Sequence, residues 1–427
     1  MPSASRKGAS WPYCHFAEHV MKIATAALLV FACATTSAAQ SVPPVRGPAE
    51  RGQPAWFLQG SFPDPTGYTA TAPGGIVTVL PRPATPPVLA LPNPPPCRGA
   101  PHCGNRQAGA PKRSDMQRVQ WEQTLGYDFA YPIDLPAGTG GVPAVALDSK
   151  GNLWVFQRKP TGMAQLFKYG PDNRLLLTVG EDVIGHHNKA HGMAVDSEDN
   201  VWILDTGLAT AIKLSPNGKV LMQLGTRGRR GDWNEERGQH LLWEPVMIAF
   251  GRNGDFYIAE GHGNESPNDT DSADPANQSG AARILQFNKD GKFIRQWFGN
   301  EVNEGKFANA HALGIDPTNG DVWIGDREDY RILVYSADGK FLRQIPTRNL
   351  VCAIQFDPAG NPWMASGQDG QFLKLDRSGR VLGAIGNGMG IGRGQFIEAS
   401  YFVFDRDMAI YAGDTSVSRI TVMRPRG

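Results

Sequence analysis

Two histidines stand at one place in two copies of the same pattern. In "AHGMAVDSEDNVWILD" His191 precedes Asp196 by five residues, and in "AHALGIDPTNGDVWIGD" His311 precedes Asp316 by five. Each lies in an otherwise apolar strand, where an imidazole must find hydrogen-bond partners or serve chemistry. A lone histidine in a strand is commonly a satisfied core residue; recurrence at one repeat position argues for a shared purpose. Two imidazoles facing one channel are good ligands for a divalent metal, with zinc the first choice.

The elements that must position them are repeats. "PAVALDSKGNLWVFQR", "HGMAVDSEDNVWILDTG", "VMIAFGRNGDFYIAEGHG", "HALGIDPTNGDVWIGDRE", "CAIQFDPAGNPWMASGQ" and "SYFVFDRDMAIYAGDTS" share a template of apolar strand, Asp-centred turn and second apolar strand. Segments such as "DGKFIRQWFG" and "DGKFLRQI" add further turn and strand. A small sheet with two apolar faces is unstable alone, and radial stacking buries both, so six such units predict an all-β, six-bladed β-propeller over 117–427. The sixth unit ends one strand short after "SRITVMRPRG", and Arg118–Phe129 is the orphan strand expected to complete it. First strands line a propeller's channel. Five residues before each turn stand Pro143, His191, Val246, His311, Cys352 and Ser400, which puts the histidines in blades two and four.

This repeat template resembles the NHL family, and the chain is similar more particularly to the peptidyl-hydroxyglycine amidating lyases and their bacterial relatives. The resemblance rests on "VFQR", "AHGMAVD", "EGHGN" with "ARILQF", "AHALGID" with "GDREDYRI", and "AGDTSVSRI". It implies a channel zinc held by histidines of alternating blades, His191 and His311 among them. It implies that Arg158 and Arg327, after the second strands of blades one and four, bind and orient a carboxylate-bearing substrate with forked donors. His262 falls at the family's catalytic tyrosine and would serve as base. The family's third metal histidine aligns with Ser400, a poor zinc ligand, with Cys352 and Glu398 as nearby substitutes. An acidic residue that assists a structural calcium there is Tyr401 here, which puts Ca in doubt. The reaction class implied is a metal-dependent lyase cleaving a carbon–nitrogen or carbon–oxygen bond of a small α-hydroxy substrate or a peptide terminus. Bland rivals remain for each residue: Arg327 pairing with Glu328 or Asp329, and His262 as a turn residue between Gly261 and Gly263. Rival functions are a lactonase- or esterase-type hydrolase and a non-catalytic NHL binding module.

Composition bounds the remainder. The formal net charge of +1 gives no field for nucleic acid or an anionic membrane. Phosphate loops, dinucleotide fingerprints and serine elbows do not occur in the sequence. Residues 1–40 read as a leader whose secretory signal peptide is "MKIATAALLVFACATTSAAQ", with translation expected from Met21 and export to the periplasm or medium. Its apolar run is too short for a membrane span, and "VFAC" at Cys33 is a weaker lipoprotein alternative. Residues 41–116 form a proline-rich linker or arm, an expected site for a protein partner, since 17 of the 33 prolines lie between Ser41 and Lys112. In an oxidising compartment Cys97 and Cys103 could pair, leaving Cys352 as the odd thiol. His186 and His187, four to five residues before His191, offer a metal ligand from the loop; Asp269, Asp271 and Asp274 offer a loose calcium site, although a solvated or lid-like loop is the simpler reading of that insertion. "GTRGRRGDWNEERG" reads as a charged surface loop.

Overall fold

The computed structural model describes residues 119–427, apart from 159–163, 186–188, 263–281, 301–304, 308, 328–329 and 348, together with the backbone of 71–72, 75–76 and 78–80. The leader with Cys33, the pair Cys97 and Cys103, His186, His187, Asp269, Asp271, Asp274, Glu328 and Asp329 lie outside the described residues. Within these limits the chain is an all-β, six-bladed propeller, with six antiparallel four-stranded sheets in sequence order and almost no helix. No helix among the described residues is long and apolar enough to cross a membrane.

The first strands, Gly141–Leu147, Ala190–Val195, Pro245–Phe250, Ala310–Ile315, Val351–Phe356 and Ala399–Phe404, pack on one another in turn, and the sixth packs on the first. The expected closure holds for part of its segment. Tyr127–Ala130 pairs antiparallel with Val417–Pro425 and supplies the fourth strand of blade six. The front of the segment goes elsewhere: the Trp121 amide donates to the Gln371 side chain, and the Thr124 and Leu125 amides donate to the Ala384 carbonyl, all in blade five. Trp121 is apolar enough to join the core between blades four and five, so burial there competes with extending the closing strand.

The turn end of each blade explains why the Asp-centred motifs stack. Asp148 accepts from the backbone and side chain of Asn152 and pairs with Lys168 at 3.2 Å. Asp196 repeats this with Asn200 and Lys213, and Asp357 with Asn361 and Lys374. Each lysine also lies over a second-strand tryptophan, Trp154, Trp202 or Trp363. Burial works to raise these three carboxyls, but hydrogen bonds, first among them from Asn152 to Asp148, Lys213 to Asp196 and Trp363 to Asp357, outweigh it together with the lysine charge and hold them below the usual range.

The other end of each blade is irregular in a repeated way. In blade four Ala310 pairs with Asp326 and Ala312 with Gly325, so His311 has no residue opposite it. In blade two the pairs are Ala190 with Asp205 and Met193 with Ile203, and the extra residue falls at His191–Gly192. All six first strands carry such a register shift at this point. A bulge releases one residue from strict alternation and re-aims its side chain. His191 and His311 leave the apolar pattern on both sides in this way and their rings meet, whereas Val246 and Cys352 at the same position join the hydrophobic core.

Side-chain acceptors at the ends of the second strands brace this end. Asp326 accepts the Asn309 amide at 2.8 Å, Asp414 the Ile397 amide at 2.7 Å, Glu260 the Trp243 amide at 2.7 Å and Gln157 the Gly140 amide at 2.8 Å. Each ties the loop that enters a blade to that blade's second strand. Loops leading into the bulges are thus held from behind by buried, charge-assisted hydrogen bonds in three of these four cases.

Candidate metal centre

Three imidazoles meet at the braced end. The rings of His191 and His311 are 4.8 Å apart, and that of His262 lies 4.6 Å from His191 and 5.5 Å from His311. One ring nitrogen from each falls within 4.8 Å of the other two, against about 3.3 Å for nitrogens sharing a tetrahedral ion at zinc–nitrogen bond lengths.

Hydrogen bonds orient two of the rings. His191 Nδ1 lies 3.0 Å from the Val246 carbonyl and His311 Nδ1 lies 2.8 Å from the Cys352 carbonyl. A carbonyl only accepts, so each Nδ1 carries the proton and each Nε2 keeps its lone pair, which in His311 accepts from Arg327 Nη1 at 2.9 Å. Val246 and Cys352 hold the inserted positions of the next blades, so the same repeat that supplies a ligand also supplies its neighbour's anchor. Burial first, with the cationic Arg158 and Arg327 nearby, keeps His191 well below the usual imidazole range; burial, the other two histidines and the same arginines do so for His262. Neutral imidazole is the form that a cation needs.

The third imidazole of the cluster comes from outside the repeat position that His191 and His311 share. Ser400 is buried at the equivalent bulge of blade six, and Glu398 lies 3.7 Å from Arg327. Cys352 turns its carbonyl to His311 while its sulfur packs beside Gly367. His262, expected as a base at the turn beside Gly261, follows the second strand of blade three and joins the other two imidazoles. Gly261 makes that placement possible: its φ is +129°, and a Cβ there would lie 2.6 Å from that of Ala282. The His262 amide is held by Glu244 at 3.1 Å, itself paired with Arg230 at 3.3 Å. The basic loop expected at the surface therefore reaches behind the site, and its Trp233 is buried against Phe287 and Phe293.

Both expected arginines border the cluster. Arg158 donates from Nε to the Ala190 carbonyl at 2.7 Å, and Arg327 lies with Nη1 2.9 Å from His311 Nε2. Tyr401 had no assigned role in the sequence beyond replacing an acid. Its hydroxyl lies 2.8 Å from the His311 carbonyl, 3.0 Å from the Val246 carbonyl and 3.2 Å from His191 Nδ1, and its ring stacks on His311 at 15°. A phenol has one proton, which the nearer His311 carbonyl or the Val246 carbonyl can accept while the oxygen accepts from the imidazole, so one atom meets blades two, three, four and six. Tyrosine is commonly core, and only the three-dimensional convergence reveals this.

The curated relatives agree with the resemblance. The chain is 27% identical to mouse peptidyl-glycine alpha-amidating monooxygenase over 70% of its own length and 32% of that protein. It is 26% identical to peptidyl-alpha-hydroxyglycine alpha-amidating lyase 1 of Drosophila melanogaster, covering 55% of this chain and 46% of the relative. With human NHL repeat-containing protein 3 the identity is 26%, over 55% and 64% of the two chains. These are distant homologues of the chain. It spans about a third of the mouse relative and under half of the fly lyase, so similarity to the amidating proteins is confined to a part of each. No family model matches. Among solved structures, a gluconolactonase from Xanthomonas campestris aligns at TM-score 0.47 and 14% identity, over 69% of this chain and 88% of that one. Virginiamycin B lyase from Staphylococcus aureus aligns at 0.45 and 14%, over 71% and 100%. At such scores neither likeness carries functional weight.

Proposed function

We propose that this chain is a metal-dependent lyase of the amidating-lyase kind, acting on an α-hydroxy substrate that bears a carboxylate. The observation that carries the reading is the cluster of His191, His262 and His311 bordered by Arg158 and Arg327. Three neutral nitrogen donors without a protein carboxylate suit zinc with one position left for substrate. His191, His262 and His311 would hold it. When bound, such an ion polarises the substrate hydroxyl or carbonyl as a Lewis acid.

The chain's own residues do the remainder. Arg158 and Arg327 provide planar, permanently charged forks for a carboxylate. Burial of the cluster limits the water competing for those donors, which strengthens the pairing. In the elimination the hydroxyl gives up its proton, the oxygen–hydrogen electrons form the new carbonyl, and the carbon–nitrogen electrons leave with nitrogen, which takes up a proton. For an α-hydroxyglycine amide the products are glyoxylate and the shorter amide. His262 is assigned to the metal rather than to proton transfer.

Elemental analysis of the purified protein beside a His191→Ala/His311→Ala variant, followed by product detection with an α-hydroxyglycine peptide, tests this. Stoichiometric zinc in the wild type only, with glyoxylate released, is the expected outcome. Equal trace metal in both proteins removes the metal centre from the proposal, and zinc with lactone opening but no glyoxylate replaces lyase by hydrolase. Export is a separate part of the proposal, supported by the Met21–Gln40 leader; N-terminal sequencing of the mature protein from its native host checks it.

A further inference from the structure

Arg327 donates to the one His311 nitrogen that the metal reading requires. Its Nη1 is 2.9 Å from His311 Nε2, and His311 Nδ1 is committed to the Cys352 carbonyl. A lone pair serves one partner well, so the guanidinium and a cation compete for Nε2. The same Nη1 lies 3.7 Å from Glu398 Oε1, so an anionic partner also stands beside the arginine. Both side chains are buried, with Arg327 1% and Glu398 5% exposed, so the arginine exchanges one protein or ligand partner for another rather than for bulk water.

We propose that Arg327 couples the two occupants of the site: it serves either His311 or an entering carboxylate, so that metal and carboxylate bind with positive cooperativity. The coupling rests on the metal reading above and specifies its regulation. A carboxylate draws the guanidinium away from Nε2 and so makes the third nitrogen of the cluster available; a cation on Nε2 turns the guanidinium outward, where it can accept a carboxylate. Linkage makes the two effects equal in magnitude. Arg158 does not share this role, since its Nε serves the Ala190 carbonyl.

Zinc titration of metal-free full-length protein against a chromophoric chelator, with and without saturating glycolate as the simplest α-hydroxy carboxylate, reads the coupling directly. Glycolate raises zinc affinity on the order of tenfold in the wild type, and zinc raises glycolate affinity by the same factor in calorimetry. In Arg327→Met, which keeps bulk but removes the donors, zinc binds more tightly than to the wild type without glycolate, and the glycolate effect disappears. Zinc affinity indifferent to glycolate in the wild type overturns the proposal, with no variant needed. Coupling that survives in Arg327→Met also overturns it, because the carboxylate would then act on the ion directly. Failure of the wild type to bind zinc at all would instead sink the metal reading on which the coupling stands.

Discussion

The two ends of the first strands obey different rules. At the turn end, blades one, two and five repeat an aspartate, an asparagine, a lysine and a tryptophan in the same contacts. At the bulged end the backbone repeats while the side chains vary and histidine recurs in two blades only: His191, Val246, His311, Cys352 and Ser400 occupy equivalent positions. Repetition of side chains marks what every blade needs in order to fold, whereas repetition of backbone with changing side chains marks what the ring offers to a ligand.

Substitutions at the two ends should separate accordingly. The largest effect is expected from Trp323→Ala, which empties a fully buried site at the structural end. It should cost about 3–5 kcal/mol in denaturant unfolding while leaving zinc stoichiometry unchanged in the folded fraction. Loss of zinc from that folded fraction would show that the two ends are not independent. Tyr401→Phe should do the reverse: zinc affinity falls roughly tenfold, in the range seen for residues that orient ligands, with a smaller change in metal-free stability. Equal zinc affinity in wild type and Phe variant would reduce Tyr401 to packing.

The smallest effect concerns pH. Burial, partly offset by hydrogen bonds from Leu208 and Gly207 and by nearby cations, pushes the Asp205 carboxyl up to about 6; the Asp414 carboxyl also rises to about 6 through burial, against Arg419 and backbone hydrogen bonds. Between the ordinary carboxyl range and pH 6 the folded state therefore binds more protons than the unfolded state, so these groups make stability fall as pH rises through that window and level off above it. Asp205→Asn should flatten that fall in metal-free protein, measured as the urea midpoint from pH 4 to 6.5. The lowered aspartates of the turn end act below this window with opposite sign: their contribution is lost as pH falls. An unchanged slope in the variant would place the titration elsewhere.

Much of the fold was legible because the turn end writes its contacts into sequence at fixed spacing. The equivalence of His191 and His311 was legible for the same reason, both being counted from turn aspartates. His262 stands outside that periodicity, past the second strand at a turn with Gly261, so only the family resemblance singled it out, and then as a base. Bulges are invisible to counting because each blade contains the same one. Tyr401 contacts residues 155 and 210 positions away, and no local pattern encodes such a meeting. The closing segment was half legible: its strand character was plain, but Trp121 had an apolar alternative in blade five that only packing reveals.

The closure has a topological consequence. Tyr127 is paired directly with Pro425, so the first and last strands of the ring are neighbours in one sheet, about 4.8 Å apart. The propeller is in effect a circle with a movable seam. A short linker across that seam, with new termini opened at the Asn319–Gly320 turn, would keep the pairing of Tyr127–Ala130 with Val417–Pro425 and leave His191, His262 and His311 on one stretch of chain, as they are in the native order.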